Sequence, residues 1–239
     1  HYTCTGTYTN GDYVVNCHDG VAHGELDIYG ILGMSCNGAF DTIAQTLNST
    51  KWQKLAEDFG YNQSDRSQVD FAYKKSHFDI ASDDSVWSRM QLAIGQGTTT
   101  VTPLLNLMMY AAIANDGVMM TPYLVDHYLD ANGNVVEQTK PKALRSVCTK
   151  AEAELMDEFL TYVITNGTAA AGGSQYARVS GKTGSAQYDS TKNYHAWFCG
   201  YGTNDVSEIA VCVMIEKGGA GGIVAAPVAG QIFDYYFSR

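Results

Sequence analysis

The sequence predicts an α/β fold of the α+β kind, in which an antiparallel sheet is packed between helices and a mostly helical lobe precedes it. Two extended runs, 178–186 and 195–202, are joined by a polar loop, which is the pattern of a β-hairpin. A third run, 209–215, is continuously apolar and is expected to form a strand buried on both faces. Helical patterns lie before and after these runs, and this order of elements is typical of mixed folds.

Composition limits the class of protein. The chain has 239 residues, of which 45% are hydrophobic and 17% charged, so a substantial core is expected and disorder is not. The net charge of -10 argues against a nucleic-acid partner and against a basic membrane-surface patch. No apolar run reaches membrane-spanning length. The sequence has neither an initiating Met nor a signal peptide, and we expect it to be part of a longer protein.

The first elements are an irregular hairpin followed by two helices. Residues 1–20 are rich in turn formers and contain the turn signal Asn10-Gly11. A helix is predicted from Phe40, and its apolar face is expected to contain Phe40, Ile43, Ala44 and Leu47. Thr50 with Gln53 resembles a capping box for the second helix, which is expected to end at Gly60 and to bury Trp52, Leu55, Ala56 and Phe59.

The middle of the chain alternates between irregular and regular segments. Residues 61–84 show no regular pattern. Thr102-Pro103 is a strong helix start, with threonine as the N-cap and proline in the first position, and this helix is expected to end near Asn115-Asp116-Gly117. Residues 123–138 read as a hairpin that turns at Asn132-Gly133.

The last part of the chain begins with a well-marked helix. Thr149 and Glu152 form a predicted capping box, and the helix is expected to bury Leu155, Phe159, Tyr162 and Val163 before it ends at Asn166-Gly167. The hairpin and the third strand follow. A glycine-rich connection then leads to a C-terminal helix that carries Val228, Ile232 and Tyr235.

The six cysteines contain no C-x-x-C pair. Cys4, Cys17, His18 and His23 could in principle bind zinc, but their spacing matches no common zinc module, so no metal site is predicted. A disulfide between Cys4 and Cys17 is favoured instead, provided that the protein folds outside the cytoplasm. Cys199 and Cys212 lie in apolar runs and are expected to be small core residues.

Two short motifs carry polar groups suited to catalysis. Lys182-Thr183-Gly184 places an ammonium, a hydroxyl and a bare backbone in a row on the first strand of the hairpin, although the same residues also fit a solvated strand edge. A phosphate-binding P-loop is excluded, because the glycine that it needs five residues before Gly181 is Tyr176. Ser35-x-Asn37 alone fits an ordinary helix cap.

Together the two motifs match the S-x-N and K-T-G signatures of penicillin-binding proteins and related β-lactamases. The chain resembles the transpeptidase domain of class B penicillin-binding proteins, within the penicilloyl-serine transferase superfamily, over essentially its whole length. Further segments in the family's order are His23-Gly24, Gly95-Gln96-Gly97, Thr102-Pro103, Asn115-Asp116-Gly117, Gly167-Thr168-Ala169 and His195-Ala196-Trp197-Phe198.

The resemblance implies a peptidoglycan D,D-transpeptidase, which transfers acyl groups from D-Ala-D-Ala stem peptides through a serine acyl-enzyme and is trapped by β-lactams. Lys182, Thr183 and Ser185 would bind the terminal carboxylate of the substrate by charge-assisted hydrogen bonds, and Gly184 would let the substrate lie close to the strand. The Ser185 backbone N–H would be one oxyanion-hole donor. Ser35 would relay a proton to or from the leaving group and Asn37 would hold the substrate's amide. No cofactor is implied.

One departure concerns the nucleophile. The family's serine nucleophile and lysine base lie in an S-x-x-K motif upstream of S-x-N, and no serine in residues 1–239 has a lysine three residues later. We therefore expect a domain truncated at its N-terminus and incomplete in fold, with 1–118 as the mainly helical lobe carrying S-x-N and 119–239 as the sheet lobe carrying K-T-G. The 239-residue chain alone is expected to be inactive.

The resemblance also sets the expected partners and location. The partners would be stem peptides, β-lactams and other cell-wall synthesis proteins, and association through the incomplete face is expected. The domain would lie on the extracytoplasmic face of a bacterial membrane, anchored by an N-terminal helix outside this chain. Two alternatives remain: a β-lactam sensor or catalytically dead binding module, and, with less support, a serine β-lactamase, for which no water-activating residue can be matched.

Overall fold

The computed structural model describes residues 1–17, 20–63, 69–191 and 193–239. The first part of the chain contains short strands and five helices. The strands are β1 (Tyr2–Cys4), β2 (Thr7–Asn10), β3 (Tyr13–Asn16) and β4 (Gly24–Leu26). The helices are α1 (Ile28–Gly33), α2 (Asn37–Thr46), α3 (Ser49–Asp58), α4 (Val86–Ala93) and α5 (Pro103–Ala114).

The second part contains the main sheet and two long helices. Its short strands are β5 (Val118–Met120), β6 (His127–Leu129), β7 (Val135–Gln138) and β8 (Ala143–Ser146). Helix α6 (Lys150–Asn166) and a 3-10 turn (Ala170–Gly172) come next. They are followed by β9 (Arg178–Gln187), β10 (Tyr194–Thr203), β11 (Glu208–Ile215) and α7 (Gly221–Phe237).

The main sheet is antiparallel, in the order β11-β10-β9, and helices cover both of its faces. On β10, Phe198 packs edge-to-face on Phe233 of α7, with ring centroids 6.3 Å apart. Tyr201, an odd number of residues further on, points to the other face and donates a 2.7 Å hydrogen bond to Asp157 of α6. Because side chains alternate along a strand, α6 and α7 lie on opposite faces of the sheet. The predicted sheet packed between helices is confirmed.

Several elements agree with the sequence-based expectations. The N-terminal hairpin pairs β2 with β3, and the hairpin that turns at Asn132-Gly133 pairs β6 with β7. Thr102 caps α5 by accepting a hydrogen bond from the Leu105 N–H. The Thr149–Glu152 capping box of α6 is complete in both directions. In each case the signal is local, with the partners three or a few residues apart.

Other expectations were wrong in detail. The N-cap of α3 is Asn48, not Thr50, and Leu55 on this helix is exposed because only one side of α3 packs against the protein. Helix α4 was not predicted, since its polar residues hide the apolar spacing. The pairing of β5 with β8 was missed because these strands are distant in sequence.

The last two elements are less buried than the sequence indicates. Strand β11 pairs only with β10 among the described strands, so most of its side chains are half-buried and only Val211 is fully buried. Helix α7 is apolar nearly all round. Its buried side is Ala225, Ala229 and Phe233, while Val228, Ile232 and Tyr235 are exposed.

The predicted disulfide between Cys4 and Cys17 is not present, and both residues are free thiols. The Cys17 sulfur instead faces Cys36 Sγ at 3.7 Å and His23 Nδ1 at 3.5 Å. The sequence analysis did not include Cys36 in this group, because it lies 19 residues after Cys17.

The relation of the two predicted lobes stays a prediction. Helix α5, from the first lobe, packs directly on β10 and β11 of the second. Among the described residues, no helix combines the length and the apolarity needed to cross a membrane.

Helix α2 buries a carboxylate that the predicted apolar face did not include. Ile43 and Leu47 are partly exposed, whereas Asp41 is fully buried and neither of its carboxylate oxygens has a hydrogen-bond partner. Burial raises the pKa of Asp41 to about 7. The folded protein therefore holds this proton more tightly than the unfolded chain does.

Asp41 should make the protein less stable as the pH rises. Between about pH 4 and pH 7 the unfolded chain has lost this proton and the folded protein has kept it, so the free energy of unfolding falls across this window. We expect Asp41→Asn to remove this fall and to stabilise the protein at pH 8 by on the order of 2 kcal/mol, with little effect at pH 4. Urea unfolding at the two pH values measures this difference. The exposed control Asp12→Asn should change neither value, and an Asp41→Asn variant with unaltered pH dependence would contradict the assignment.

Candidate active site

Ser35 lies in the tight turn between α1 and α2. Its φ of 52° is in the left-handed region, which costs a non-glycine residue free energy. The Ser35 N–H donates to Leu32 O and the Cys36 N–H donates to Ile31 O, which is the hydrogen-bond pattern of a Schellman motif. The N-cap of α2 is Cys36 rather than Ser35 or Asn37. The helix-cap interpretation of Ser35-x-Asn37 is therefore wrong.

Lys182 projects from the middle of β9 and reaches Ser35. Its Nζ donates hydrogen bonds to Ser35 Oγ and to the Thr183 carbonyl oxygen, both at 2.9 Å. The two side chains are 147 residues apart in sequence. The S-x-N and K-T-G motifs therefore meet in the folded protein. Although β9 is an edge strand of the described sheet, the Lys182 ammonium is hydrogen-bonded within the protein and not simply solvated.

The surroundings of Lys182 make its ammonium group easier to deprotonate. Burial lowers the pKa of Lys182 to about 8, because desolvation disfavours the ammonium. An amine with a pKa near neutral can exist in both protonation states during a reaction, which suits proton transfer as well as charge recognition.

A hydrogen-bonded network holds the strand just before Lys182. Ser180 is on the same face of β9 and donates a 2.8 Å hydrogen bond to Asp157 Oδ1 of α6. Asp157 also accepts from Tyr201 OH and pairs with Arg178 at 2.7 Å. These contacts hold α6 against the sheet. They thereby fix the part of the β9 backbone from which the Lys182 side chain projects.

Thr183 contacts the loop after α6, and Ser185 contacts the first residue of α7. Thr183 Oγ1 lies 3.1 Å from Thr168 Oγ1, and the Thr168 N–H donates to the Gly33 carbonyl oxygen at 3.0 Å. Ser185 Oγ accepts a 3.0 Å hydrogen bond from the Gly221 N–H. The Ser185 hydroxyl proton is then available to donate to a ligand.

A cleft of about 190 Å³ lies along β9 and contains the Lys-Thr-Gly segment. One wall is the strand itself and the other comes from the segment around α4 and α5. Its lining residues are Ile94, Gly95, Gln96, Val101, Asn106, Tyr110, Lys182, Thr183, Gly184, Ser185, Ala186, Trp197 and Cys199.

Asn37 is placed differently from the other candidate residues. It is the first residue of α2, and its Nδ2 donates a 3.0 Å hydrogen bond to the Asn16 carbonyl oxygen. Like Ser35, it is not among the residues that line the cleft. The structure thus brings Ser35, Lys182 and Thr183 together and shows Asn37 bonded to the N-terminal hairpin beside them.

Sequence reasoning missed several residues of the cleft as site residues. Asn106 and Tyr110 come from α5, one helical turn apart on the side that faces β9. Burial raises the pKa of Tyr110, so its hydroxyl is a neutral donor. The Gly95-Gln96-Gly97 segment carried a signal through its match to the family, although no role was assigned to it.

The cleft places a cation, several hydroxyls and accessible strand backbone close to one another. An ammonium beside two hydroxyls can bind a carboxylate, and a strand edge can pair with an extended peptide. The fold together with the Ser-x-Asn turn and the Lys-Thr-Gly strand defines the class of serine acyl transferases that includes penicillin-binding proteins. The chain belongs to the family of penicillin-binding protein transpeptidase domains, whose model matches residues 1–234. The predicted family is confirmed.

Curated relatives agree with this family. The chain is 27% identical over 235 residues to "Peptidoglycan D,D-transpeptidase MrdA" of Acinetobacter baumannii, covering 90% of this chain and 35% of that protein. It is also 27% identical over 228 residues to "Stage V sporulation protein D" of Bacillus subtilis, covering 91% and 35%. The chain thus spans about a third of the length of these relatives.

Solved structures agree with the fold. The D,D-transpeptidase domain of a peptidoglycan glycosyltransferase from Eggerthella lenta is 27% identical with a TM-score of 0.86, covering 97% of this chain and 58% of that one. Penicillin-binding protein A of Mycobacterium tuberculosis, solved as an imipenem acyl-enzyme complex, is 21% identical with a TM-score of 0.85, covering 99% and 55%.

Proposed function

We propose that residues 1–239 are the greater part of the transpeptidase domain of a peptidoglycan D,D-transpeptidase. The reaction would be acyl transfer from D-Ala-D-Ala stem peptides through a serine acyl-enzyme, which β-lactams trap. The observation that carries the proposal is the 2.9 Å hydrogen bond from Lys182 Nζ to Ser35 Oγ beside the Lys-Thr-Gly cleft. Two motifs far apart in sequence form one polar site there.

In this proposal the strand recognises the carboxylate end of the substrate. Lys182 supplies the charge, and the Thr183 and Ser185 hydroxyls donate hydrogen bonds to the carboxylate oxygens. Gly184 has no side chain above the strand, so the substrate can approach the backbone closely. The Ser185 backbone N–H would then point at the carbonyl oxygen that becomes the oxyanion.

Proton transfer would run through the Ser35–Lys182 pair. With the Lys182 pKa near 8, the amine can take up or release a proton near neutral pH, and Ser35 Oγ would relay it to or from the leaving group. Asn37, held by the Asn16 carbonyl, would turn toward the substrate's amide when a ligand enters. The domain would work on the extracytoplasmic side of a bacterial membrane, with other cell-wall synthesis proteins as partners.

The chain alone should not react covalently with penicillin. Acylation in this class needs an activated serine nucleophile, and none of the serines in residues 1–239 has the S-x-x-K spacing. Intact-protein mass spectrometry after incubation with penicillin G should show no stoichiometric adduct on the 239-residue chain. A longer protein that carries an S-x-x-K segment before residues 1–239 should gain one adduct per chain.

Each outcome separates the alternatives. An adduct on residues 1–239 alone would show that the nucleophile has been misplaced. If a longer protein carries S-x-x-K and folds but forms no adduct, the proposed transpeptidase activity is contradicted and a catalytically dead binding module is favoured. A long-lived adduct together with absent cross-linking of stem peptides would favour a β-lactam sensor.

A further inference from the structure

Three cysteines and one histidine, none of which lines the cleft, meet in the N-terminal part of the fold. The cysteine–histidine cluster consists of Cys4, Cys17, His23 and Cys36, with one potential ligand atom from each residue, all within 4.8 Å of one another. The three cysteines are only 3%, 1% and 0% exposed, and His23 is half-buried. His18, which the sequence pattern also included, lies outside the described residues.

The distances within the cluster match a tetrahedral metal site. Zinc binds sulfur at about 2.3 Å and nitrogen at about 2.0–2.1 Å, so a tetrahedral site needs sulfurs about 3.8 Å apart and a sulfur–nitrogen distance of about 3.5 Å. Cys17 Sγ lies 3.7 Å from Cys36 Sγ and 3.5 Å from His23 Nδ1. A disulfide would need sulfurs at about 2.05 Å and would leave a third buried thiol without a partner.

Four separate segments deliver these ligands. Cys4 ends β1, Cys17 directly follows β3, His23 directly precedes β4, and Cys36 is the N-cap of α2. The pairing of β1 with β4, which places Cys4 opposite Gly24, brings the first and third ligands side by side. Such convergence from distant segments is typical of a site that holds a small fold together.

We propose that the cysteine–histidine cluster binds one zinc ion through three thiolates and one imidazole. Four protein ligands close the coordination sphere, so the site is structural and has no position for substrate. Soft thiolates in tetrahedral geometry select zinc over the hard cations calcium and magnesium. Binding releases the protons of the three thiols and involves no change of oxidation state.

The zinc ion would also hold the Ser35 turn. Cys36 lies between Ser35 and Asn37 in sequence, and Cys17 follows Asn16, whose carbonyl oxygen accepts the Asn37 hydrogen bond. A metal that bonds both cysteines therefore fixes the backbone on either side of the S-x-N motif. This consequence rests on the proposed function, whereas the metal site itself does not.

The test begins with the native chain. The 239-residue protein, purified without chelator after growth with zinc, should contain one equivalent of zinc by elemental analysis and by native mass spectrometry. Replacement of zinc by cobalt(II) should give the intense visible bands of tetrahedral cobalt together with thiolate-to-cobalt charge transfer. Removal of the metal by a chelator should lower Tm by on the order of 10 °C, and added zinc should restore it.

Variants with a matched control assign the ligands. The Cys36→Ser and Cys17→Ser proteins should each lack the one equivalent of bound zinc. The control Cys148→Ser, which alters a cysteine outside the cluster, should retain it. His23→Cys should keep the metal and raise the intensity of thiolate-to-cobalt charge transfer, because a fourth thiolate replaces the imidazole. This variant distinguishes a ligand from a residue that only supports folding.

Several outcomes would overturn the proposal. One is native, folded protein that takes up no zinc or cobalt when reconstituted with one equivalent of metal. Another is cobalt spectra that lack thiolate charge transfer, and a third is Cys36→Ser protein that retains the full equivalent. A fourth is a protein mass two hydrogens below that of the reduced chain. If this deficit disappears on reduction and maps to two cluster cysteines, the cluster forms a disulfide and not a metal site. Failure of penicillin acylation in a longer protein that still holds zinc would contradict only the proposed function.

Discussion

Replacing Lys182 by alanine is expected to lower the rate of acylation by penicillin G at least about 100-fold in a longer protein that carries an S-x-x-K segment upstream of residues 1–239. The substitution removes the ammonium that is 2.9 Å from Ser35 Oγ, and Lys182 is the only lysine among the described residues that line the cleft. Both carboxylate recognition and proton relay would be lost. Second-order rate constants from stopped-flow fluorescence or from quenched mass spectrometry measure the effect.

The controls separate charge in the cleft from charge elsewhere. Lys140→Ala removes an exposed lysine outside the cleft and should leave the rate unchanged. Ser35→Gly should also slow acylation, while its unfolding free energy stays within about 1 kcal/mol of native because glycine accepts a positive φ readily. If the Lys182→Ala protein reacts at the native rate, the Ser35–Lys182 hydrogen bond plays no part in acylation.

Gly221→Ala is expected to destabilise the protein by at least about 3 kcal/mol, because the first turn of α7 lies directly on the sheet. A Cβ at residue 221 would lie 2.3 Å from the Gly184 carbonyl oxygen and 2.5 Å from the Trp197 carbonyl oxygen. Both are backbone atoms of paired strands and cannot rotate away. The Gly221 hydrogen bond to Ser185 would be lost with the displacement.

Chemical denaturation with a matched helix variant measures this effect. Ile223→Ala alters an exposed residue in the same turn, at 77% exposure, and should cost less than about 0.5 kcal/mol. Because Gly184 and Ser185 belong to the Lys-Thr-Gly strand, Gly221→Ala should also lower β-lactam acylation of the longer protein under conditions where it remains folded. Native stability and native reactivity in Gly221→Ala protein would show that α7 is not seated on β9 as described.

Features with short-range signals could be predicted from the sequence. The cap at Thr102, the capping box at Thr149 and the turn at Asn132-Gly133 depend on residues a few positions apart, and all three are present. The β9–β10 hairpin followed from two apolar runs around a polar loop. The family followed from motifs in a fixed order, and the match over residues 1–234 confirms it.

Burial was predicted less well, because a periodic pattern identifies an apolar face without saying what covers it. Leu55 is exposed since α3 lies at the surface, and Asp41 is buried although the predicted apolar face did not include it. Strand β11 has a partner on one side only, so its apolar run did not mean burial on both faces.

The sequence by itself determined the hairpin, the capped helices and the family, because each is encoded in neighbouring residues or in motif order. Only the tertiary structure decided that Lys182 bonds Ser35, that Asn37 bonds the Asn16 carbonyl, and that Cys36 completes a group with Cys4, Cys17 and His23. These contacts join segments from 13 to 147 residues apart. Their geometry depends on how the sheet, α6 and the Ser35 turn pack in three dimensions, and linear spacing carries no record of those distances and angles.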